Sequence, residues 1–226
     1  MKPWSELPEN MQNDAVRKYY QILEKHRKGL VIKRLFDICV SLILIIILSP
    51  ILLILSLMIK LDSKGPVLFR QVRVTQYGKE FRICKFRTMV NDAEKKGTQV
   101  TTKNDSRVTR VGKMLRGCRL DELPQLFNVL KGEMTFVGTR PEVVKYVNCY
   151  TEEMLATLLL PAGITSQASI EYKDEEKLLE NAENADEVYV EKVLPDKMKY
   201  NLKSLEEFSV LNDLKTMILT VIAVVK

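Results

Sequence analysis

The stretch from Ile38 to Ile59, ICVSLILIIILSPILLILSLMI, contains no charged side chain over 22 residues. A helix rising about 1.5 Å per residue would span roughly 33 Å here, enough for a bilayer hydrocarbon core of about 30 Å. Pro50 complicates a simple span, because it donates no backbone hydrogen bond and its ring crowds the carbonyl of Ile46. A bend or break at Ser49-Pro50 is expected, with the Ser49 hydroxyl available to a freed carbonyl. Two topologies follow: a kinked transmembrane helix, or a re-entrant helix-hairpin that enters and leaves by one face.

The flanks bear on that choice. Arg17, Lys18, Lys25, Arg27, Lys28, Lys33 and Arg34 precede the run, and Lys60, Lys64, Arg70, Arg73, Lys79, Arg82, Lys85 and Arg87 follow it. A spanning helix should show a charge asymmetry, whereas a re-entrant one has basic residues at both ends. Taken alone, these residues leave the two topologies equally open. A cleaved signal peptide fits poorly, since a charged segment of 37 residues precedes the run and no A-x-A site ends it.

Upstream, Val16, Tyr19, Tyr20 and Leu23 repeat at helical spacing, with Asn13 or Asp14 as N-cap and Gly29 as a stop. This amphipathic segment, within residues 1–30, either lies on the membrane surface among acidic headgroups or packs on the domain. Downstream, Gly65-Pro66 turns the chain out of the membrane element, and strands over Val67 to Val74 and Phe81 to Phe86 join through Tyr77-Gly78. Asn91 to Ser106 reads as a solvated loop.

Val108 to Leu120 has helical spacing that Leu123-Pro124 should interrupt. A new helix follows from Gln125 to Lys131, with Pro124 in its first turn and Gly132 as its stop. Pro161-Ala162-Gly163 is a loop, Lys173 to Val193 is acidic and at least partly helical, and Pro195 breaks it. Leu214 to Val225 is apolar but too short to span, so it is a core or interfacial helix. The expected fold class is mainly α with a small β-hairpin: a membrane helix over residues 31–62, interfacial helices and one catalytic domain over 63–226.

Composition narrows the chemistry. A net charge of +6 favours anionic partners without choosing among nucleic acid, acidic lipid and a diphosphate. The long membrane segment argues against nucleic acid. The four cysteines lie far apart, so they form no C-x-x-C pair and no evident disulfide framework. His26 is the sole histidine, which excludes a zinc site built on two imidazoles.

Carboxylates, cations or a metal ion must therefore carry any catalysis. Asp121 and Glu122 sit side by side at a helix boundary, after the cations Arg107, Arg110, Lys113, Arg116 and Arg119. Aspartate is also a favoured helix cap, so capping alone is a competing account of Asp121. On the functional reading, a helix N-terminus keeps an oriented carboxylate ionised, able to hold Mg²⁺ or attack phosphorus. Neighbouring helical residues point about 100° apart, so the two carboxylates should have different roles. Arg116 is the first choice for a diphosphate contact, because a guanidinium bridges two phosphate oxygens. Lys85-Phe86-Arg87-Thr88-Met89 and Gly138-Thr139-Arg140-Pro141 offer further phosphate-binding groups in Lys85, Arg87 and Arg140.

Set in order, these stretches resemble the bacterial sugar transferases, the monotopic phosphoglycosyl transferases, from about Lys33 onward. The resemblance rests on Lys33-Arg34-Leu35-Phe36-Asp37, Ser49-Pro50, Gly65-Pro66-Val67, Lys85 to Met89, Asp92-Ala93-Glu94, Leu120 to Leu126, Asn128 to Gly132 and Val137 to Pro141. It implies transfer of a sugar 1-phosphate from a UDP-sugar to polyprenyl (undecaprenyl) phosphate at the cytoplasmic face of the bacterial inner membrane, releasing UMP. It further implies Asp121 as nucleophile, Glu122 as its assistant, Mg²⁺ as cofactor with Asp121 as a ligand, and a re-entrant helix bent at Ser49 and Pro50.

Membrane lipids and downstream glycosyltransferases are the implied partners, and a homodimer is compatible with it. Two departures bear on loop geometry and sugar choice. Gly138-Thr139-Arg140-Pro141 replaces the family's Gly-Pro-Arg-Pro, and Pro161-Ala162-Gly163-Ile164-Thr165-Ser166 replaces Pro-Gly-Ile-Thr-Gly. The rival reading is a non-catalytic basic adaptor that holds acidic lipids or a partner protein.

Overall fold

The computed structural model describes residues 1–91, 106–173 and 184–225. Helix α1 covers Asp14–Lys25, and α2 runs from Arg27 to Asp62 with Pro50 inside it. The Ser49 hydroxyl donates to the Ile46 carbonyl at 2.8 Å, the group that the Pro50 ring leaves without its usual partner. The helix carries two kinds of surface. Val31, Leu35, Ile43, Ile46, Ile47, Leu53, Leu57 and Leu61 are exposed, far more contiguous aliphatic surface than a water-soluble domain leaves bare.

The other face of α2 leans on the folded domain along both halves. Phe36, Val40, Leu44 and Leu48 pack against a core containing Phe81, Leu126, Val129, Met134 and Phe136. Leu55 and Ile59 pack with Phe86 and Leu115. The Lys33 to Asp37 motif is an anchor for the first half. Lys33 Nζ donates to Asp213 and to the Val137 carbonyl, and Arg34 donates to the Val129 and Leu130 carbonyls at 2.7 and 2.9 Å. Asp37 accepts from Thr135 Oγ1 at 2.7 Å and from the Phe136 N–H at 3.2 Å. At the far end, Asp62 accepts from the Val111 N–H at 3.0 Å.

Strands β1 (Leu68–Val74) and β2 (Glu80–Phe86) form an antiparallel hairpin, and Tyr77 and Gly78 adopt the left-handed conformations its turn needs. Helices α3 (Arg110–Gly117) and α4 (Gln125–Lys131) follow, and Gly132 closes α4 with φ of 85°. A second sheet, absent from the sequence reading, pairs β3 (Met134–Val137) in parallel with β4 (Ala162–Thr165). Between them lies α5 (Val144–Val147), and after them α6 (Gln167–Glu171). The region read from sequence as the loop Pro161 to Gly163 is thus the start of a strand.

The N-terminal segment is part of the domain core. Leu7, Met11, Val16, Tyr19, Tyr20 and Leu23 are buried against Val74, Ala156, Leu158, Leu159, Leu205 and Phe208. Of the two placements open for α1, packing on the domain is the one found, because its apolar stripe is covered by protein.

Toward the C-terminus, α7 (Ala185–Val188) leads through a π-helical turn, Tyr189–Val193, into α8 (Leu194–Glu206). Pro195 does not end the helical segment as expected. It occupies the first turn of α8, where a missing N–H is tolerated, and the wider π turn precedes it. Helix α9 (Val210–Val225) packs on α2 and on both strands of the second sheet, while Leu211, Ile218 and Val221 stay exposed.

Candidate active site

Only a few residues separate α3 from α4. Helix α3 ends at Gly117, and Arg119 takes a left-handed conformation with φ of 52°. Leu120–Glu122 then form a single 3-10 turn, with the Leu123 N–H donating to the Leu120 carbonyl. The expected continuous helix to Leu120 is thus shorter, and Asp121 lies on a tight turn ahead of α4. Pro124 is the residue that precedes α4, and no side chain caps that helix. Capping therefore does not account for Asp121.

Glu122 is pinned. Its Oε1 accepts from Lys85 Nζ at 2.8 Å and from Arg140 Nη2 at 2.9 Å, and its side chain is only 14% exposed. Burial pushes the Glu122 carboxyl up, but Arg140 and Lys85 together outweigh this and hold it well below the usual carboxylate range. Burial also draws the Lys85 ammonium down, opposed by the charge of Glu122.

Asp121 behaves in the opposite way. Burial and the adjacent Glu122 charge raise its carboxyl above the ordinary aspartate value, against the pull of Lys85 and Arg116. The pair therefore consists of a fixed anion and a less stabilised one.

Each cation arrives from its own element. Lys85 stands on β2, opposite Phe69. Arg116, in the last turn of α3, donates from Nε to Thr88 Oγ1 at 2.9 Å, a positioning contact not anticipated from sequence, although Thr88 belongs to the Lys85 to Met89 motif. Arg140 sits on the loop that leaves β3.

That loop is closed by two backbone bonds, Gly138 N–H to the Thr165 carbonyl at 2.9 Å and Gly163 N–H to the Thr139 carbonyl at 2.8 Å. A Cβ at Gly163 would collide with the Gly138 backbone, so only glycine permits this approach. Thr139 contributes its carbonyl, which a proline would also supply, so this departure from the family pattern leaves the closure intact. Ser166 accepts from the Ser169 N–H and caps α6, which gives that departure a local role as well.

Arg87 is placed elsewhere. β2 ends at Phe86, and the buried Arg87 guanidinium donates to the carbonyls of Ser63 and Lys64 and to Ser63 Oγ. It clamps the exit of α2, where carbonyls lack helical partners. Gly65 has a φ of 131°, which L side chains rarely adopt, and a Cβ there would also meet Arg87 Nη1, so glycine stands ahead of Pro66. Of the other cations that precede the carboxylate pair, Arg119 donates to the Lys173 carbonyl at 3.3 Å, and Arg110 and Lys113 face solvent.

The donor set bears on magnesium. Among the described residues no three His, Cys, Asp or Glu side chains cluster as a metal cage, and Glu122 is committed to two cations. Asp121 is left as a single oriented carboxylate. That suits Mg²⁺, which is held through one or two carboxylates with substrate phosphates and water completing its shell. Asp92-Ala93-Glu94 lies outside the described residues.

The family model for bacterial sugar transferases matches residues 28–226. The chain is 42% identical over 198 residues to the UDP-glucose:undecaprenyl-phosphate glucose-1-phosphate transferase of Klebsiella pneumoniae, covering 85% of this chain and 40% of that one. It is 48% identical over 123 residues to the UDP-N-acetylgalactosamine-undecaprenyl-phosphate N-acetylgalactosaminephosphotransferase of Aeromonas hydrophila, covering 54% and 29%. With the exopolysaccharide production protein PSS of Rhizobium leguminosarum bv. phaseoli it shares 51% identity over 112 residues, covering 49% and 56%. The aligned region thus spans less than half of the first two relatives. By the family match over most of its length, the chain belongs to the bacterial sugar transferase family.

Proposed function

We propose that the chain transfers a sugar 1-phosphate from a UDP-sugar to undecaprenyl phosphate or a similar polyprenyl phosphate, releasing UMP, through an intermediate on Asp121. The observation that carries this reading is the division within the carboxylate pair: Glu122 is fixed by Lys85 and Arg140, and Asp121 is the less stabilised anion beside them. Relatives bearing undecaprenyl-phosphate sugar phosphotransferase names support the substrate classes.

In the first step an Asp121 oxygen attacks the sugar-bearing phosphorus and the bond to the UMP oxygen breaks. In the second, an oxygen of the lipid phosphate attacks the same phosphorus and the Asp121 carboxylate leaves. One phosphoanhydride is broken and another formed. Attack turns the Asp121 carboxylate, whose charge burial and Glu122 disfavour, into an acyl oxygen, and the negative charge passes to the phosphoryl group and to UMP. Lys85, Arg116 and Arg140 offset charge on the diphosphate and on departing UMP. Asp121 would hold Mg²⁺, whose chemistry here is to neutralise phosphate charge and orient the donor.

We further propose that α2 is re-entrant, with the domain on the cytosolic face of the bacterial inner membrane. The contacts at both ends support this: Arg34 reaches α4 and Asp62 reaches α3 of the same domain. A straight span would carry one of these ends to the opposite face. The site would then lie near headgroup depth, within reach of both a soluble nucleotide sugar and a lipid phosphate.

The test is UMP release by the purified protein with UDP-sugars, Mg²⁺ and undecaprenyl phosphate. Lipid-dependent release that is lost in Asp121→Asn is expected. No release with any UDP-sugar, together with binding to acidic vesicles, would favour the adaptor instead.

A further inference from the structure

Glu142 is a buried carboxylate that takes no part in the chemistry described above, and its partners come from β1 and from the C-terminal helical segment. Its Oε1 accepts from the Tyr189 hydroxyl at 2.5 Å and lies 3.5 Å from Lys197 Nζ, which itself donates to the Tyr189 oxygen at 3.0 Å. Its Oε2 lies 4.0 Å from Arg73 on β1. Glu142, Tyr189 and Lys197 are each 4–6% exposed. Burying such charges costs several kcal/mol per ion before pairing, and apolar side chains of similar size would pack at least as stably. An arrangement of this kind is better suited to fixing a position than to adding stability.

The position it fixes is two residues from Arg140. Arg73 Nη1 donates to the Pro141 carbonyl at 3.1 Å, and the Val74 N–H donates to the Glu142 carbonyl at 3.0 Å. Residues 141 and 142 are thereby held against β1 on one side and against Tyr189 and Lys197 on the other. Tyr189 opens the π-helical turn, a feature that often accompanies functional sites. Its ring also packs on Tyr146, 4.6 Å between centroids, just beyond the same loop.

We propose that Tyr189 is a positioning residue for the carboxylate pair: through Glu142 it holds the 138–142 loop so that Arg140 reaches Glu122. This rests on the reaction assigned above. The C-terminal helical segment thereby sets the geometry of the site through the 138–142 loop.

The experiment uses Tyr189→Phe, which keeps the ring and removes the hydroxyl, in the full chain. Hydrogen–deuterium exchange should rise at residues 138–142 and stay unchanged in α4. UMP release should lose roughly tenfold in kcat/KM, the scale of one hydrogen bond to a charged group. That loss should shrink in an Arg140→Lys background, because both changes act through one contact.

Unchanged exchange at 138–142, or a loss that is undiminished in Arg140→Lys, would overturn the proposal. If the wild type releases no UMP, the assigned reaction fails, and the exchange measurement still decides whether Tyr189 holds the loop.

Discussion

Asp121 and Glu122 are consecutive in the chain, yet their surroundings drive their carboxyls in opposite directions, Asp121 up through burial and Glu122's charge, Glu122 down through Arg140 and Lys85 against burial. A nucleophilic Asp121 must be ionised, so kcat/KM should fall with decreasing pH through a value above that of an ordinary aspartate. Glu122, depressed, remains charged across that limb. Whatever stability its ion pairs contribute is present above the unfolded-state value and is lost only as pH falls through the depressed one.

Glu122→Gln should lower kcat and also move the acid limb to lower pH. The change removes a neighbouring anion and frees Lys85 and Arg140 to stabilise ionised Asp121. A limb that moves to higher pH would contradict the assignment, and a pH–rate profile of the two proteins measures it.

Lys33 joins three elements, donating to Asp213 on α9 and to the Val137 carbonyl while standing on α2. Burial raises the Asp213 carboxyl, and Lys33 counters that shift. Lys33→Met should therefore destabilise the protein by about 3 kcal/mol, the cost of a buried charge left without its partner. Lys33→Met combined with Asp213→Leu should recover most of the loss. Denaturant unfolding in detergent provides the comparison.

Topology is tested by labelling. Lys28 and Lys64 are exposed on the two sides of the apolar stretch. Single cysteines at these positions in a cysteine-free background should both react only from the cytosolic side. Reaction of one of them from the outside would mean that α2 crosses the bilayer.

Much of the architecture was legible because it is local. The i, i+3, i+4, i+7 spacing of Val16, Tyr19, Tyr20 and Leu23 marked α1, and Tyr77-Gly78 marked the hairpin turn. Gly132 marked the end of α4. What covers each face was not legible. The stripe on α1 meets residues more than a hundred positions away, such as Leu159 and Phe208.

The parallel pairing of Met134 with Ala162 is likewise non-local, and four residues per strand leave a weak periodic signal. Within the site, Asp121 and Glu122 were readable as a pair, Arg116 from its place ahead of them, and Lys85 and Arg140 as candidate phosphate contacts in two short stretches. The division of roles between the carboxylates depends on Lys85 and Arg140 converging on one oxygen, which no spacing rule encodes. Arg87 shows the converse: a cation next to the site motif whose two terminal nitrogens, Nη1 and Nη2, bond the end of a helix.

The central claim is a covalent bond at Asp121, and intact-protein mass after incubation with UDP-sugar and Mg²⁺ but no lipid acceptor tests it most directly. The account predicts a mass increase of one sugar phosphate, mapped to the peptide containing Asp121, discharged by added undecaprenyl phosphate and missing in Asp121→Asn. Lipid-dependent UMP release with no such adduct, or undiminished turnover in Asp121→Asn, would contradict it.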